Sequence, residues 1–476
     1  MPVHAPTRAG DLSNTTYANH QPAIARYISD GNFKQALSLL IQVYQIVPIV
    51  PELLDDMATC YWNIGDYKTA IKMIKIITKV IGDSPDAWNK LGAMCLSVGD
   101  ETTAENAFET TLDLNSKDIK ALVALNRIGT FKRKSRRAEI LKQASRSRNH
   151  SSFERAVSYN AVGQIEQASG NYKAAIHNFA KSKAHTPGKY DACAVNAHVA
   201  SQCRVFRSPD RTKIVPTQKT RFVFIVGMPR SGTTLVESML SCHTHVETVG
   251  ETSALQDCLQ HCRTQIGKPN GWDWFGDLSD QFALELGAIY RARCARILPD
   301  EMPDVVVDKT PLNLFELGFA QRILPDAKFV FMSRHPLDVG LSNFSTNFFA
   351  PQPFSKTLDA IGDMTRALYR SAEDYQTKLG ASFRWQSYAA LVSEPEPNAK
   401  ALLDHLDIAW DAACLTPENR KGIVATASLT QVRAPINAAA LEKWRPFETE
   451  LQPLIDALGG WAWLDEWQRR DDALRI

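Results

Sequence analysis

The sequence predicts a multidomain protein, with an all-α repeat solenoid followed by an α/β domain that has a central parallel sheet. Two observations support this fold class. Small and apolar residues recur with a 34-residue period in the N-terminal part, and from Arg221 onward buried strands alternate with helices. We place the repeat domain at 19–203, a polar linker at 204–220 and the α/β domain at 221–476. A chain of 476 residues is long enough for two or three domains.

The repeat period is defined by one template. Its residues are Trp88, Leu91, Gly92, Cys95, Gly99, Ala104 and Phe108. The same offsets return 34 residues earlier, and again downstream as Tyr159, Val162, Gly163, Gly170, Ala175 and Phe179. Small residues where two helices cross, flanked by large ones, are what stacked helix pairs need. The period resembles the tetratricopeptide repeat, which implies a surface that docks a partner.

A basic run interrupts the repeats between Asn115 and Phe153. It contains Lys132, Arg133, Lys134, Arg136 and Arg137. Most such runs are solvated helix faces. The alternative is a patch that attracts an acidic peptide towards the second half of the chain.

Composition excludes several classes of protein. A net charge of +2 argues against a nucleic-acid partner or a charged membrane surface. We find no signal peptide and no apolar run long enough for a membrane anchor, so we expect a cytoplasmic protein. The nine cysteines are scattered without a metal-binding spacing, so we expect reduced thiols and no metal. The oligomeric state stays open.

The most informative stretch is F-V-F-I-V-G-M-P-R-S-G-T-T-L, residues 222–235. A buried strand, a loop with two glycines and a helix start follow one another, which is the arrangement of an anion cradle. Its candidate ligands are Arg230, Ser231, Gly232, Thr233 and Thr234. The spacing is close to a Walker A loop, but Thr233 takes the place of the lysine, which weakens a nucleotide-hydrolase interpretation. An ordinary strand–turn–helix is the alternative.

Charged residues also follow the other predicted strands. Lys309 comes directly after the apolar run Val305–Val307, and Arg334 follows the strand Lys328–Met332. The carboxyl ends of parallel strands meet at one edge of a sheet, where ligands bind. A single surface charge after a strand means little. Three cations after three strands, with Arg230 as the first, favour a shared anionic ligand.

Five segments in this half resemble a known family. They are P-R-S-G-T-T-L from Pro229, G-E-T from Gly250, D-K-T-P from Asp308, S-R-H-P-L-D-V-G-L-S from Ser333, and S-x-x-Q-V-x-x-P-x-N-x-x-x-L-x-K-W from Ser428. In this order they resemble the sulfotransferases, and among these the tyrosylprotein sulfotransferases. The resemblance spans about residues 221–465 and implies a P-loop-like α/β fold.

The resemblance implies a donor and a set of roles. The donor is 3′-phosphoadenosine-5′-phosphosulfate (PAPS), whose 5′-phosphosulfate is assigned to Arg230, Ser231, Gly232, Thr233 and Thr234. The 3′-phosphate is assigned to Arg334 and Ser342, with help from Tyr388 and Lys443. Glu251 matches the general base, Lys309 and Ser428 match the residues that face the leaving oxygen, and Arg230 also approaches the sulfuryl group.

The chain departs from the family pattern at three positions. His335 and Leu337 replace an aspartate and an arginine, and Thr346 stands where the eukaryotic tyrosyl enzymes have another arginine. These changes concern the 3′-phosphate site more than the chemistry. Two assignments also have structural alternatives, since Glu251 could be a helix N-terminal carboxylate and Tyr388 could be a core residue.

We therefore expect a metal-independent, PAPS-dependent sulfotransferase. The expected acceptor is a tyrosine in a peptide or protein, presented with the help of the repeats. One alternative keeps the fold but sulfates a small-molecule or carbohydrate hydroxyl. Another is a repeat scaffold whose second half binds nucleotide without catalysis. A kinase-like enzyme is disfavoured, because the Walker lysine and a magnesium-binding aspartate pattern are missing.

Overall fold

A computed structural model describes residues 9–47, 49–207, 219–267, 271–298, 301–348, 350–420 and 435–475 of the chain. Contacts among these residues divide the chain into two compact units, one that ends at Leu141 and one that begins at Lys142. We number helices and strands in chain order through both units.

The first unit is helical. Its helices are α1 Ala9–Ser29, α2 Phe33–Ile46, α3 Pro51–Asn63, α4 Tyr67–Val80, α5 Pro85–Val98, α6 Glu101–Leu114, α7 Ile119–Ile128 and α8 Arg136–Arg146, and the unit boundary falls within α8. Asp66 and Asp100, 34 residues apart, cap α4 and α6 by accepting the backbone N–H of Thr69 and Thr103. The repeated caps confirm the helix-pair period.

Glycine allows the two helices of a pair to lie close together. A Cβ atom at Gly92 in α5 would lie 2.7 Å from the ring of Phe108 in α6, closer than real contacts allow.

One residue of the basic run, Arg137, pairs with a carboxylate of α6. Its guanidinium donates two hydrogen bonds to the Glu109 carboxylate, at 2.7 and 2.5 Å.

The second unit begins with one more helix pair and continues into the α/β domain. Its helices are α9 Ser152–Ala168, α10 Tyr172–Lys183, α11 Ala192–Val205, α12 Thr233–Leu240, α13 Ala254–Ile266, α14 Asp280–Ala295, α15 Leu317–Ile323, α16 Pro336–Ser345, α17 Leu358–Leu379, α18 Tyr388–Ser393, α19 Pro395–His405, α20 Gln452–Leu458 and α21 Gly460–Asp472. The pair α9/α10 has the repeat geometry, because a Cβ at Gly163 would lie 2.5 Å from the Phe179 ring.

This grouping differs from the boundary we drew in the sequence. Residues 142–203, which we placed in the repeat domain, belong by their contacts to the unit that contains the sheet. The described residues at the two ends of the predicted linker, 204–207 and 219–220, belong to that same unit. The domain limits 19–203 and 221–476 therefore stay a prediction.

The sheet has five parallel strands in the order β2-β3-β1-β4-β5. They are β1 Arg221–Gly227, β2 Val246–Gly250, β3 Val305–Asp308, β4 Lys328–Ser333 and β5 Phe383–Ser387. Side chains of β1 alternate between two apolar cores, with Phe222 and Phe224 in one and Val223 and Ile225 in the other. Burial on both faces explains the continuous apolar run and confirms the predicted central parallel sheet.

The strand order locates the ligand edge of the sheet. From β1 the chain moves to one side for β2 and β3 and to the other side for β4 and β5. The carboxyl end of β1 is therefore a topological switch point, where open α/β sheets bind ligands. Of the helices in the described ranges, none is both long and apolar enough to cross a membrane.

Candidate active site at the carboxyl edge of the sheet

The loop between β1 and α12 has an unusual backbone. Gly227, Arg230 and Gly232 have φ angles of 149°, 73° and 107°. A positive φ at a non-glycine residue such as Arg230 is strained, and such strain is concentrated at functional sites. Gly232 also leaves no room for a side chain, because its Cβ would lie 2.4 Å from the Tyr388 ring. Successive backbone N–H groups in such conformations are typical of loops that bind anions.

The hydroxyl groups that follow are buried at the start of α12. Ser231, Thr233 and Thr234 are 1%, 3% and 6% exposed. Among the described residues, the Ser231 Oγ atom has no hydrogen-bond partner although it is buried. A buried hydroxyl without a partner is costly, so the loop has a donor left for a bound anion. The loop therefore has the polar groups that a bound anion would need.

Two contacts tie the loop to α16. Arg230 Nε donates to Ser342 Oγ at 3.0 Å, and Asn343 Nδ2 donates to the Pro229 carbonyl at 2.7 Å. The predicted 5′-phosphosulfate segment and the predicted 3′-phosphate helix are thus in direct contact. The sequence could place both at the same sheet edge, but it could not pair these side chains.

Arg334 connects three segments of the site. Its Nη1 atom donates to the Arg230 carbonyl at 3.0 Å, and its Nη2 atom donates to the Ala440 carbonyl at 2.6 Å. The guanidinium carbon lies 4.7 Å from the centre of the Tyr388 ring. Its buried Nε atom has no partner within the described ranges, so it can still donate to an anion. Tyr388 is itself buried, and burial raises the pKa of its phenol.

Lys309 lies between two carboxylates. Its Nζ atom donates to Glu251 Oε1 at 2.5 Å and lies 3.8 Å from Glu237 Oε2. The Lys309 side chain is completely buried, whereas the Glu251 side chain is 51% exposed. A buried ammonium needs such partners. The arrangement leaves the Glu251 carboxylate accessible to an incoming acceptor.

Sequence reasoning missed Glu237, which lies on α12. The Glu237 side chain is 4% exposed, accepts from Thr248 Oγ1 at 2.8 Å and lies 3.9 Å from Arg420 Nη1. It is therefore a second, buried carboxylate beside the Lys309 ammonium. The sequence did contain one signal, a glutamate within the apolar helix T-T-L-V-E-S-M-L. Because glutamates are rarely buried without a partner, this position indicated a paired carboxylate.

Asp338 was also missed, although it lies inside the S-R-H-P-L-D motif. Its two carboxylate oxygens accept the backbone N–H of Glu442 at 2.9 Å and of Trp444 at 3.0 Å. Burial raises the pKa of this carboxyl group. The two bonds straddle the exposed Lys443 and hold its segment beside α16.

The residues that depart from the family pattern add no charge to the site. The His335 ring stacks on Trp444 with centroids 5.1 Å apart, and burial lowers its pKa to about 4. Leu337 is fully buried in the core. Ser428, the remaining predicted catalytic residue, lies outside the described residues. The roles of all the predicted site residues stay predictions.

Comparisons with known proteins agree with this geometry. Residues 223–412 match the model of the sulfotransferase family, and residues 27–94 match that of the tetratricopeptide repeat. Protein-tyrosine sulfotransferase 1 of Danio rerio is 28% identical over 249 residues, covering 49% of this chain and 68% of that protein.

Two further relatives are more limited in what they show. An uncharacterized protein of Aquifex aeolicus (strain VF5) is 32% identical over 245 residues, covering 50% of this chain but only 32% of that protein. The sulfotransferase domain from the Synechococcus PCC 7002 olefin synthase is 20% identical with a TM-score of 0.34, covering 50% of this chain and 90% of that domain. From the family matches and the parallel sheet together, this chain contains tetratricopeptide repeats and a domain of the sulfotransferase family.

Proposed function

We propose that the chain transfers a sulfuryl group from PAPS to a tyrosine hydroxyl of a peptide or protein. The observation that supports this most is the meeting of Arg230, Ser342 and Arg334 at the carboxyl edge of β1 and β4. A nucleotide with phosphate groups at both its 5′ and 3′ positions needs two anion sites a short distance apart. The loop after β1 would supply one of them, and Arg334 with Ser342 of α16 the other.

The donor would be held through both ends. Arg230, Ser231 and the N-terminal residues of α12 would bind the 5′-phosphosulfate, with the unpartnered Ser231 hydroxyl donating to it. Arg334 and Ser342 would bind the 3′-phosphate, and Tyr388 would keep the Arg334 guanidinium in place by stacking. Lys443 is exposed beside this site and would add a further positive charge.

The transfer would be an in-line displacement at sulfur. A bond forms between the acceptor oxygen and sulfur, while the bond between sulfur and the bridging phosphate oxygen breaks. Glu251 would take the phenolic proton, since its carboxylate is half exposed, and Lys309 beside it would stabilise the charge on the leaving oxygen. The departing product is adenosine 3′,5′-bisphosphate. Ser428 would assist Lys309, as the family resemblance implies.

The tyrosine acceptor is supported by the relatives named as protein-tyrosine sulfotransferases. Sulfation of a sugar or a small phenol, and nucleotide binding without catalysis, are the alternatives that a test must separate. The docking role of the repeats and the cytoplasmic location stay predictions.

A transfer assay with sulfur-labelled PAPS tests the proposal. We expect label in tyrosine peptides and none in their phenylalanine counterparts. Lys309→Met should abolish the transfer, while Lys400→Met, at a partly exposed lysine of α19, should leave it unchanged. Label found only in sugars or free phenols would refute the tyrosine acceptor. Nucleotide binding without any transfer would support the inert scaffold.

A further inference from the structure

The helix pair α9/α10 holds the end of α16. Asn160 Nδ2 donates to the Ser345 carbonyl at 2.7 Å, and Lys183 Nζ donates to the Thr346 carbonyl at 2.6 Å. Ser182 Oγ lies 3.0 Å from Asn347 Oδ1, to which it can donate. Asn160 and Lys183 thus satisfy two backbone carbonyl groups at the C-terminal end of the helix that contains Ser342, where carbonyl groups have no partner within the helix.

Lys183 is the least expected of these residues. It is 2% exposed, and its ammonium also donates to Ser355 Oγ at 2.9 Å and lies 5.1 Å from the Phe348 ring centre. Burial lowers the pKa of Lys183 to about 7. Burying a lysine costs free energy that an apolar residue would not cost. We infer that the folded protein needs a hydrogen-bond donor at position 183.

The same C-terminal part of α16 also contacts the loop after β1. Ser342 Oγ accepts from Arg230 Nε, and the neighbouring Asn343 donates to the Pro229 carbonyl. Ser342 and Ser345 are one turn apart, a rise of about 4.5 Å along the helix axis. A shift at the clamped end of α16 would therefore move Ser342.

We propose that Lys183 and Asn160 are positioning residues, which fix the last turn of α16 so that Ser342 is oriented for the 3′-phosphate of the nucleotide. The inference rests on the proposed function and extends it. It gives the last helix pair of the repeat type a part in donor recognition. Neither residue touches the reacting atoms, so the effect should appear in donor binding and not in the chemical step.

A purely structural role for the clamp predicts a different result. If Lys183 only stabilised the fold, its loss would weaken the binding of every nucleotide to the same extent. If it positions Ser342, its loss should affect only ligands with a 3′-phosphate. Adenosine 3′,5′-bisphosphate and AMP differ in this one group, so the ratio of their affinities separates the two roles.

The experiment is a titration of the full chain with both nucleotides. We expect Lys183→Met to weaken the binding of adenosine 3′,5′-bisphosphate about tenfold, or roughly 1.4 kcal/mol, and to leave the affinity for AMP unchanged. Lys181→Met, two residues away on the exposed side of α10, is the matched control and should bind both like the wild type. Asn160→Ala removes one hydrogen bond to α16 and should give a smaller loss in the same direction, which keeps the test valid if Lys183→Met does not fold.

The outcomes separate this inference from the proposed function. If Lys183→Met weakens the binding of both nucleotides equally, or of neither, the positioning role is wrong and the proposed function is unaffected. A wild-type chain that binds neither nucleotide refutes the proposed function, and the positioning role with it. A donor KM that rises while kcat stays constant would support positioning in the transfer assay.

Discussion

The pairs α5/α6 and α9/α10 are built on the same repeat template but serve different neighbours. In both, a glycine in the first helix faces a phenylalanine ring in the second, Gly92 against Phe108 and Gly163 against Phe179. The two pairs are 71 residues apart, so each residue of one has a counterpart in the other. The shared contact shows that the internal packing of a pair is independent of what the pair binds.

The outward-facing positions differ. Asn89 in α5 donates to the Asp118 side chain, which caps the next helix of the repeat, whereas its counterpart Asn160 donates to the end of α16. Leu112 in α6 is a buried apolar residue, and its counterpart is Lys183. At these two positions the pair α9/α10 therefore has polar side chains that contact the end of α16.

The largest expected effect lies outside both pairs, at Glu251. We assign α9/α10 a role in nucleotide binding only. A variant that loses catalysis but keeps nucleotide binding should therefore lie at the carboxyl edge of the sheet. We expect Glu251→Gln to lower kcat by about 100-fold or more, because it removes the proposed general base. Its affinity for adenosine 3′,5′-bisphosphate should stay unchanged, the reverse of the result for Lys183→Met. The measurement is kcat together with nucleotide titration.

The control for this prediction is Glu247→Gln, at an exposed position of β2, the strand that ends just before Glu251. Glu247→Gln should leave both kcat and the affinity for adenosine 3′,5′-bisphosphate unchanged. Near-normal turnover in Glu251→Gln would remove the base assignment and favour the helix N-terminal role for this carboxylate.

Matched glycine substitutions test the comparison between the pairs directly. Gly92→Ala and Gly163→Ala each place a Cβ closer than 3 Å to a phenylalanine ring. Overpacking of this kind costs about 1–3 kcal/mol, so both variants should lose similar stability in urea or thermal unfolding. Only Gly163→Ala should also weaken nucleotide binding, since only α9/α10 holds α16. Equal nucleotide affinity in the two variants would contradict the division of roles.

A smaller effect concerns the pH dependence of stability. The pKa of Lys183 is about 7 in the folded chain, against 10.5 for an ordinary lysine. Between these values the unfolded chain binds the extra proton, so this group makes the protein more stable as pH rises from about 7 towards 10.5. The groups that its ammonium faces, the Thr346 carbonyl, Ser355 and Phe348, do not ionise in this range.

Lys183→Met should therefore remove part of the rise in unfolding free energy across this pH range. Lys181→Met should keep the wild-type slope. Unfolding in urea at several pH values gives the slope for each variant. Identical slopes for Lys183→Met and the wild type would show that this lysine keeps an ordinary pKa.

The smallest effect is expected in the first unit. Lys132, Lys134 and Arg136 are exposed, while Arg137 is paired with Glu109. Replacing the three exposed residues by glutamine should raise KM for an acidic peptide a few-fold at low salt and hardly at all at high salt, because salt screens exposed charges. Nucleotide affinity should not change. An unchanged KM at low salt would leave the run as a solvated surface.

The sequence predicted the parts of the site that follow local rules. Arg230, Lys309 and Arg334 could be assigned to one edge because each follows an apolar strand, and parallel strands end at the same edge. The strand β5, with the sequence F-R-W-Q-S, was not predicted because its mixed polarity gives no clear pattern.

Contacts between distant residues could not be predicted. Asp471 in α21 accepts from Ser333 Oγ and Ser387 Oγ, at 2.9 and 2.8 Å, and so links the ends of β4 and β5 just before Arg334 and Tyr388. The residues involved are as many as 138 positions apart in the chain. In the same way, a single lysine in a helix is ordinarily a surface residue, so nothing in the sequence marked Lys183 as buried.

The most direct test is a crystal structure of the full chain with adenosine 3′,5′-bisphosphate. We expect the 5′-phosphate in the loop at residues 227–234, and the 3′-phosphate at Arg334 and Ser342, with Lys309 facing the 5′-phosphate oxygen that bonds to sulfur in the donor. A nucleotide bound elsewhere, or one whose two phosphates contact none of Arg230, Lys309 and Arg334, would contradict the proposed site and the function built on it.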